Sequence, residues 1–487
     1  MMGTAPPAQR SLFYTRFNLD QRVPANHPLR NVLALVDFDF VCGLVEDRYG
    51  TKGNESVPPA VILKLMFLLA WENVVSEREL MQRLAYRLDW LWFLGMDLDS
   101  AVPDHSVLSK ARKRWGVVAF RDFFQRVLQQ AKDQGLIDGS KIFCDGTLID
   151  ANASRKSVVE VKILELNSAA DELERRLDGE SKDDDHDEDD DGRGPRPKIT
   201  RRSTTDPDAA VVTKPGAGPA RPRYKAHRAI DDQHGVITAT IVTPGDRSEA
   251  DELIPLIDQH EHSTRIKVQV AVGDTQYGTS ENYLACVDRG ITPHMRPMRE
   301  VIDARLASRG LWGIEHFAYD EIADAYRCPA GQILAPWQRR HDRNAIRYAA
   351  GAKVCGPCPL RSRCTGSPFR TITRHRRERE LQRLRELTCN DAGKRDLRRR
   401  KHLMERSFAA GTRHGVKRSR WRRLWRAEIH ELLVAIAQNV AIIVRHRTRN
   451  PRTQVAAALA LAMRFAAELL RTESFLQINY FRPALQP

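Results

Sequence analysis

The chain has 487 residues, a formal net charge of +15 at pH 7 and a pI near 9.6. That length gives room for a large core and two or three domains of about 100–200 residues each, and so basic a balance points to a polyanionic partner. The apolar runs 61–71, 432–444 and 455–470 are short or broken by Lys64, Gln438, Asn439, Arg464 and Glu468, which argues against a membrane-spanning helix of roughly 18–20 apolar residues.

Residues 1–130 read as an N-terminal helical domain, for DNA binding or dimerisation. The opening MMGTAPPAQRSLFYTRF has no apolar signal core, so a cytoplasmic, nucleoid-associated protein with no membrane partner is expected. Pro58 and Pro59 open the apolar stretch VILKLMFLLAWENV, and Ser76 with Glu79 has the spacing of a capping box. Pro103, Asp104, His105 and Ser106 signal a further start, followed by apolar residues at helical intervals to about residue 132. Such helices suit a DNA-gripping module or a structural bundle equally, and Trp71, Trp90, Trp92 and Trp115 read as core.

The pattern changes in SKIFCDGTLIDANAS. Phe143, Asp145, Thr147 and Ile149 alternate with Ile142, Cys144 and Leu148, which predicts a strand with Asp145 projecting among apolar neighbours. Aspartate is poorly suited to a strand interior, so these residues alone leave an edge or turn role open, and Asp150 is a second acid on the other face. Residues 158–177 read as a polar helix. The acidic, low-complexity stretch that follows places a disordered excursion at 179–222, with TTDPDAAVV locally ordered inside it.

From Tyr224 the β signal returns as a hairpin around Asp232–Gly235, then the helix EADELIPLID, the strand RIKVQVAVGD ending at Asp274, a helix in TQYGTSENYLACVDRG and a strand in ITPHMRP. This order predicts an α/β core with a mixed sheet over 138–300, and strand-end carboxylates are where such sheets place their chemistry. Residues 301–392 form an insertion in which Cys328, Cys355, Cys358 and Cys364 are spaced C-x26-C-x2-C-x5-C. Four thiols with one close pair resemble a structural zinc knuckle, against reduced and partly exposed cysteines as the alternative.

Residues 393–450 close the core, and 451–487 form a helical tail. The basic tract around them includes Arg398, Lys401, Arg413, Lys417, Arg418, Arg420, Arg422 and Arg423, which we assign to DNA backbone contact, with Trp421 and Trp425 either packing or stacking on a base. Within the tract stands one acid, Glu405. It is either a solvated helix residue paired with Lys401 or a metal ligand beside bound phosphate, and the second reading requires carboxylates elsewhere.

CDGTLIDANAS, VAVGDTQYGTSENY and MERSFAAGTRHGVKRSRWRRLWR, in that order, resemble the three active-site blocks of insertion-sequence transposases of the Asp-Asp-Glu (DDE) type, with a likeness spanning roughly residues 15–450. The resemblance implies a ribonuclease H-like core that brings Asp145, Asp274 and Glu405 together around Mg²⁺ or Mn²⁺. It implies cutting at the terminal inverted repeats of a mobile element and joining of the 3′-hydroxyl ends to target DNA by two-metal-ion phosphodiester chemistry, with double-stranded DNA as partner and a homodimer to process two ends. Many relatives carry a tyrosine, an arginine and a lysine around the glutamate; here Arg398, Lys401 and Thr412 stand there, with Arg413 beside the last. Two rival readings are a metal-dependent nuclease without strand transfer and a catalytically silent, transposase-derived DNA-binding protein.

Overall fold

The computed structural model describes residues 18–50, 55–163, 198–213, 218–340 and 344–449. The most acidic part of the 179–222 segment and the whole 451–487 tail lie outside these residues.

Among the described residues, eight α-helices precede the first strand, from Leu19–Arg22 to Val118–Asp133. Pro59 is tolerated at the first turn of Pro59–Trp71, where no intrahelical N–H is required. The cap forms with its reciprocal bond shifted by one residue: Ser76 accepts the Glu79 amide at 3.2 Å, and the Glu79 carboxylate accepts the amide of Val75, just before the cap, at 3.3 Å. Trp90 and Trp115 are fully buried. The helices are not set apart from the sheet. Their core runs without a break from Leu63, Phe67 and Phe123 to Phe143, Ile230 and Val272 of the strands and to Leu433 and Ile436 of the helix Leu424–Arg449.

The sheet is built around β1 (Lys141–Asp150). On one side lie β5 (Arg221–Asp231), antiparallel to β1, and its hairpin partner β6 (Ile237–Pro244). On the other side, β7 (Val270–Gly273) and β8 (Thr292–Met295) run parallel to β1. Parallel neighbours need crossovers, which the helices Leu253–Thr264 and Ser280–Asp288 supply. The pleat sends Phe143 into the cluster shared with the N-terminal helices and Ile142 and Cys144 into a second cluster with Leu256, Tyr277 and Tyr283.

Two segments depart from the sequence expectation. The start of the expected polar helix is β2 (Val158–Ile163), and part of the expected excursion forms β3 (Lys198–Ser203) and β4 (Ala210–Val212), which extend the sheet from β5. The TTDPDAAVV stretch is held by Asp206, which accepts the Tyr224 hydroxyl at 2.6 Å and the Arg423 amide at 2.9 Å. A separate five-stranded antiparallel sheet, β9 (Ala318–Asp320), β10 (Ala325–Arg327), β11 (Ile333–Arg340), β12 (Ala345–Ala349) and β13 (Thr371–His375), fills the insertion around Phe317, Tyr326, Tyr348 and Ile372.

Leu424–Thr448 is long and apolar enough to cross a membrane by length and composition, longer than the broken runs of the sequence suggest. Its most apolar stretch is 78% buried within the fold, as a core helix would be.

Several buried histidines, His260 and His430 among them, make stability depend on pH. Burial lowers His260 to about 4, although its Nε2 lies 3.1 Å from the Gly139 carbonyl, and burial beside Arg420 holds His430 well below the ordinary value. Both are neutral when folded and take up a proton when unfolded below about pH 6.5, so stability is complete above that pH and falls as pH drops toward 4. Each is expected to remove about 1.4 kcal/mol per pH unit in that window. Urea unfolding at pH 7, 6 and 5 checks this; an unchanged midpoint contradicts it.

Candidate active site

The register of the parallel strands sets the site. Phe143 of β1 lies opposite Val272 of β7, so two residues further along the pleat Asp145 comes level with Asp274, just beyond the end of β7. The Asp274 carboxylate turns the chain by accepting the Gln276 amide at 2.8 Å. Gly278 lets this loop pack closely, since a Cβ there would sit 2.0 Å from the Arg296 carbonyl oxygen.

Asp145 is half-buried. Burial raises its carboxyl to about 6, Arg400 opposes the rise, and the nearby Asp274 and Glu249 add to it. Its Oδ2 accepts from Arg400 Nη1 at 2.8 Å and its Oδ1 from the Gly146 amide at 2.8 Å.

The third acid in this corner is Glu249, from the turn after β6. One ligand oxygen from each of Asp145, Glu249 and Asp274 lies within 4.8 Å of the others. Burial also raises Glu249; Lys225, 3.3 Å away, opposes this, and Asp274 adds to it. Three partly buried carboxylates converging from separate elements form an all-oxygen donor set suited to a hard divalent cation such as Mg²⁺ or Mn²⁺. The sequence signal for Glu249 was weak, because acids in the opening turn of a helix are ordinary partners of the helix dipole.

Glu405 is not part of this group. It stands on the helix Asp391–Thr412, whose inward face is fixed by Asp396, bonded to Lys141 at 2.9 Å and His294 at 2.7 Å, and by Arg400 on Asp145. Five residues beyond Arg400, at about 100° per residue, Glu405 points well away from that face and is exposed. The expected convergence is therefore met by Asp145 and Asp274 and not by Glu405. Asp150 is occupied by Arg223 at 2.7 Å.

Among the basic residues, Arg398, Lys401, Arg413, Lys417, Arg418, Arg422 and Arg423 are exposed. Arg420 is a correction to the expected DNA-binding set. Its guanidinium donates to the Val74 and Leu69 carbonyls, each at 2.8 Å, and so closes the end of the Pro59–Trp71 helix. Trp421 packs with the Arg112 guanidinium 3.9 Å from its ring centroid, and Trp425 lies partly buried against the core. Both therefore pack rather than stand free for a base.

In the insertion, Cys328, Cys355, Cys358 and Cys364 are free thiols lining one cavity of about 30 Å³ together with Arg361 and Arg370.

Residues 17–114 match the family model of a transposase domain (DUF772), and residues 327–444 match that of a transposase DDE domain. No curated protein matches the chain. A cryo-EM structure of a piggyBac transposase synaptic complex with hairpin DNA is 10% identical, covering 96% of this chain and 84% of that one at a TM-score of 0.35.

Proposed function

With a transposase domain near its N-terminus and a transposase DDE domain toward its C-terminus, the chain is recognised as a transposase of the Asp-Asp-Glu type, and on that premise we propose that it cuts DNA at the ends of a mobile element and joins the released 3′-hydroxyls to target DNA. The observation that carries the reading is the pairing of Asp145 with Asp274 at the end of two parallel strands. The strand order β6-β5-β1-β7-β8, with the first three antiparallel and the last three parallel, supports a ribonuclease H-like core.

Asp145 and Asp274 are the residues that would hold a divalent ion. Bound there, such an ion would acidify the attacking water or hydroxyl and offset the charge on the leaving oxygen. Arg400 steadies the Asp145 carboxylate before any ion arrives and offers a guanidinium for a DNA phosphate beside it. The exposed Arg398, Lys401, Arg413, Lys417, Arg418, Arg422 and Arg423 hold the backbone of double-stranded DNA, and a homodimer brings two ends together.

The reading is tested by incubating purified chain with end-containing DNA, a supercoiled target and Mg²⁺ or Mn²⁺. Nicks bearing 3′-hydroxyls followed by strand-transfer products are expected. Nicking without joining identifies a nuclease, and binding without nicking a silent DNA-binding protein; either outcome overturns the proposal.

A structural zinc ion is our reading of the four insertion cysteines: they form no disulfide and line one cavity, and since no three of their sulfurs lie within 4.8 Å of one another, the ion would have to draw them together. Freshly purified chain is expected to carry about one zinc per molecule by elemental analysis. Cys355→Ser with Cys358→Ser should lose it and render the insertion sensitive to protease. A wild-type chain free of zinc contradicts this assignment.

A further inference from the structure

We propose that a cleft at the far end of β1 takes an unpaired stretch of a DNA strand. The inference rests on the reading that the chain acts on DNA, and it names a further site and the form of DNA held there.

The cleft has a volume of about 840 Å³ and opens beside Asp150, between the loop that follows β1 and the edge strands β2 to β5. That is within the range of about 300–1,000 Å³ for pockets that enclose a ligand. Five cations line it, Arg155, Lys156, Arg201, Arg221 and Arg418, against one acid, Asp150. The acid is already held by Arg223 at 2.7 Å and Arg221 at 3.8 Å. Arg155, Lys156 and Arg418 form no ion pair among the described residues, so the cleft favours an anion. Its cations stand on ordered backbone. Ser154 accepts the Lys156 amide at 3.2 Å, and the Ser157 hydroxyl meets that of Ser203 in β3 at 2.8 Å, which fixes the short turn Arg155–Ser157. Asp150 is bonded through the backbone to Lys417 at 3.0 Å and Ser419 at 2.9 Å, which places Arg418 at the end of β1.

Between these cations the walls are apolar, with Val158, Val211 and Pro222 among them. Duplex DNA turns its phosphates outward and would meet the cations alone. An unpaired strand satisfies both surfaces, with phosphates on the cations and sugars and bases against the apolar walls. The cleft is also continuous with the acid corner. Gly146, Leu148 and Asp150 share one face of β1, the Glu249 carboxylate lies close over Gly146, and residues 145–148 are half-buried where 142–144 are buried. Asp150 lies about 17 Å from Asp145 along the extended strand, the rise of about five stacked nucleotides. A DNA strand cut beside Asp145 and Asp274 therefore reaches the cleft with the nucleotides nearest the cut.

The test is fluorescence anisotropy of the full-length chain, without divalent metal so that nothing is cut, on a blunt duplex and on the same duplex carrying an unpaired thymidine overhang. For wild type the overhang is expected to tighten binding about tenfold. Arg155→Ala with Lys156→Ala should remove most of that advantage and lower the salt-dependence slope of the overhang probe by about 1.4, at about 0.7 per lost contact to a single strand, while leaving the blunt duplex unchanged. Ala220→Trp keeps every cation but fills the cleft, and should remove the advantage as well. Thermal melting of each variant separates a lost site from lost folding. Equal affinity of wild type for the two probes, or an equal loss on both in the double variant, overturns the inference while leaving the DNA reading intact. No binding of either probe by wild type overturns the DNA reading and the inference with it.

Discussion

Asparagine in place of Asp145 or Asp274 is expected to abolish strand cleavage, by about 10³-fold or more, while DNA binding and folding persist. The amide keeps the shape of the side chain but removes the charge that would hold a divalent ion, and the loss of several kcal/mol of transition-state stabilisation corresponds to about three orders of magnitude. Binding should survive because the exposed cations are on other elements and contact phosphate rather than metal. The fold should survive because Asp145 sits beside two other acids, so neutralising it removes repulsion at the same time as the bond from Arg400. Gel-shift affinity, melting temperature and the initial rate of nicking, measured on the same preparations, check this. Wild-type nicking in either variant would remove that residue from the site.

The second large effect concerns stability. Arg228 and Glu431 form an ion pair at 2.5 Å with both side chains wholly buried, between β5 and the helix Leu424–Arg449. The pair is knitted into its surroundings: Thr240 donates to Glu431 at 3.2 Å, and Arg228 donates to Gln438 at 2.9 Å. Removing one partner strands the other charge in the core, which costs about 3–5 kcal/mol, a large part of the about 5–15 kcal/mol that holds a typical domain together. Glu431→Ala is therefore expected to shift the urea midpoint strongly or to abolish soluble expression. Replacing both residues by apolar ones, Arg228→Met with Glu431→Leu, should be milder, because no charge is left unpaired. A Glu431→Ala chain as stable as wild type would contradict this account of the core.

Why some of this was readable in sequence and some was not follows from the range of the interactions. Ser76 and Glu79 are three residues apart and carry their own geometry, as does the hairpin turn, where the Asp231 carboxylate accepts the Gln233 amide at 2.8 Å. Strand β1 showed itself by alternation, and Asp274 by its place at the end of an apolar run. The strands β3 and β4 were hidden because KITRRS has no clean alternation and its main pairing, with Val158–Ile163, reaches back across the acidic segment. Arg420 looks like its neighbours in a basic run; what sets it apart is the helix end at Leu69 and Val74, some 350 residues earlier.

The phase of the helix Asp391–Thr412 was equally hidden. Its stretch RDLRRRKHLMER has no broad apolar stripe, and which side turns inward is decided by Asp396 meeting Lys141 and His294 from two separate strands. That contact turns Arg400 toward the acids and Glu405 away from them. Glu249 came into view only with the fold, since nothing local distinguishes it from Asp251 or Glu252 nearby.

Whether the acids around Asp145 hold a divalent ion is decided by soaking crystals of the full-length chain in Mn²⁺ and recording anomalous scattering at the manganese edge. A peak bounded by the carboxylates of Asp145, Glu249 and Asp274 is expected. Manganese gathered instead around Glu405 and away from Asp145 would contradict it.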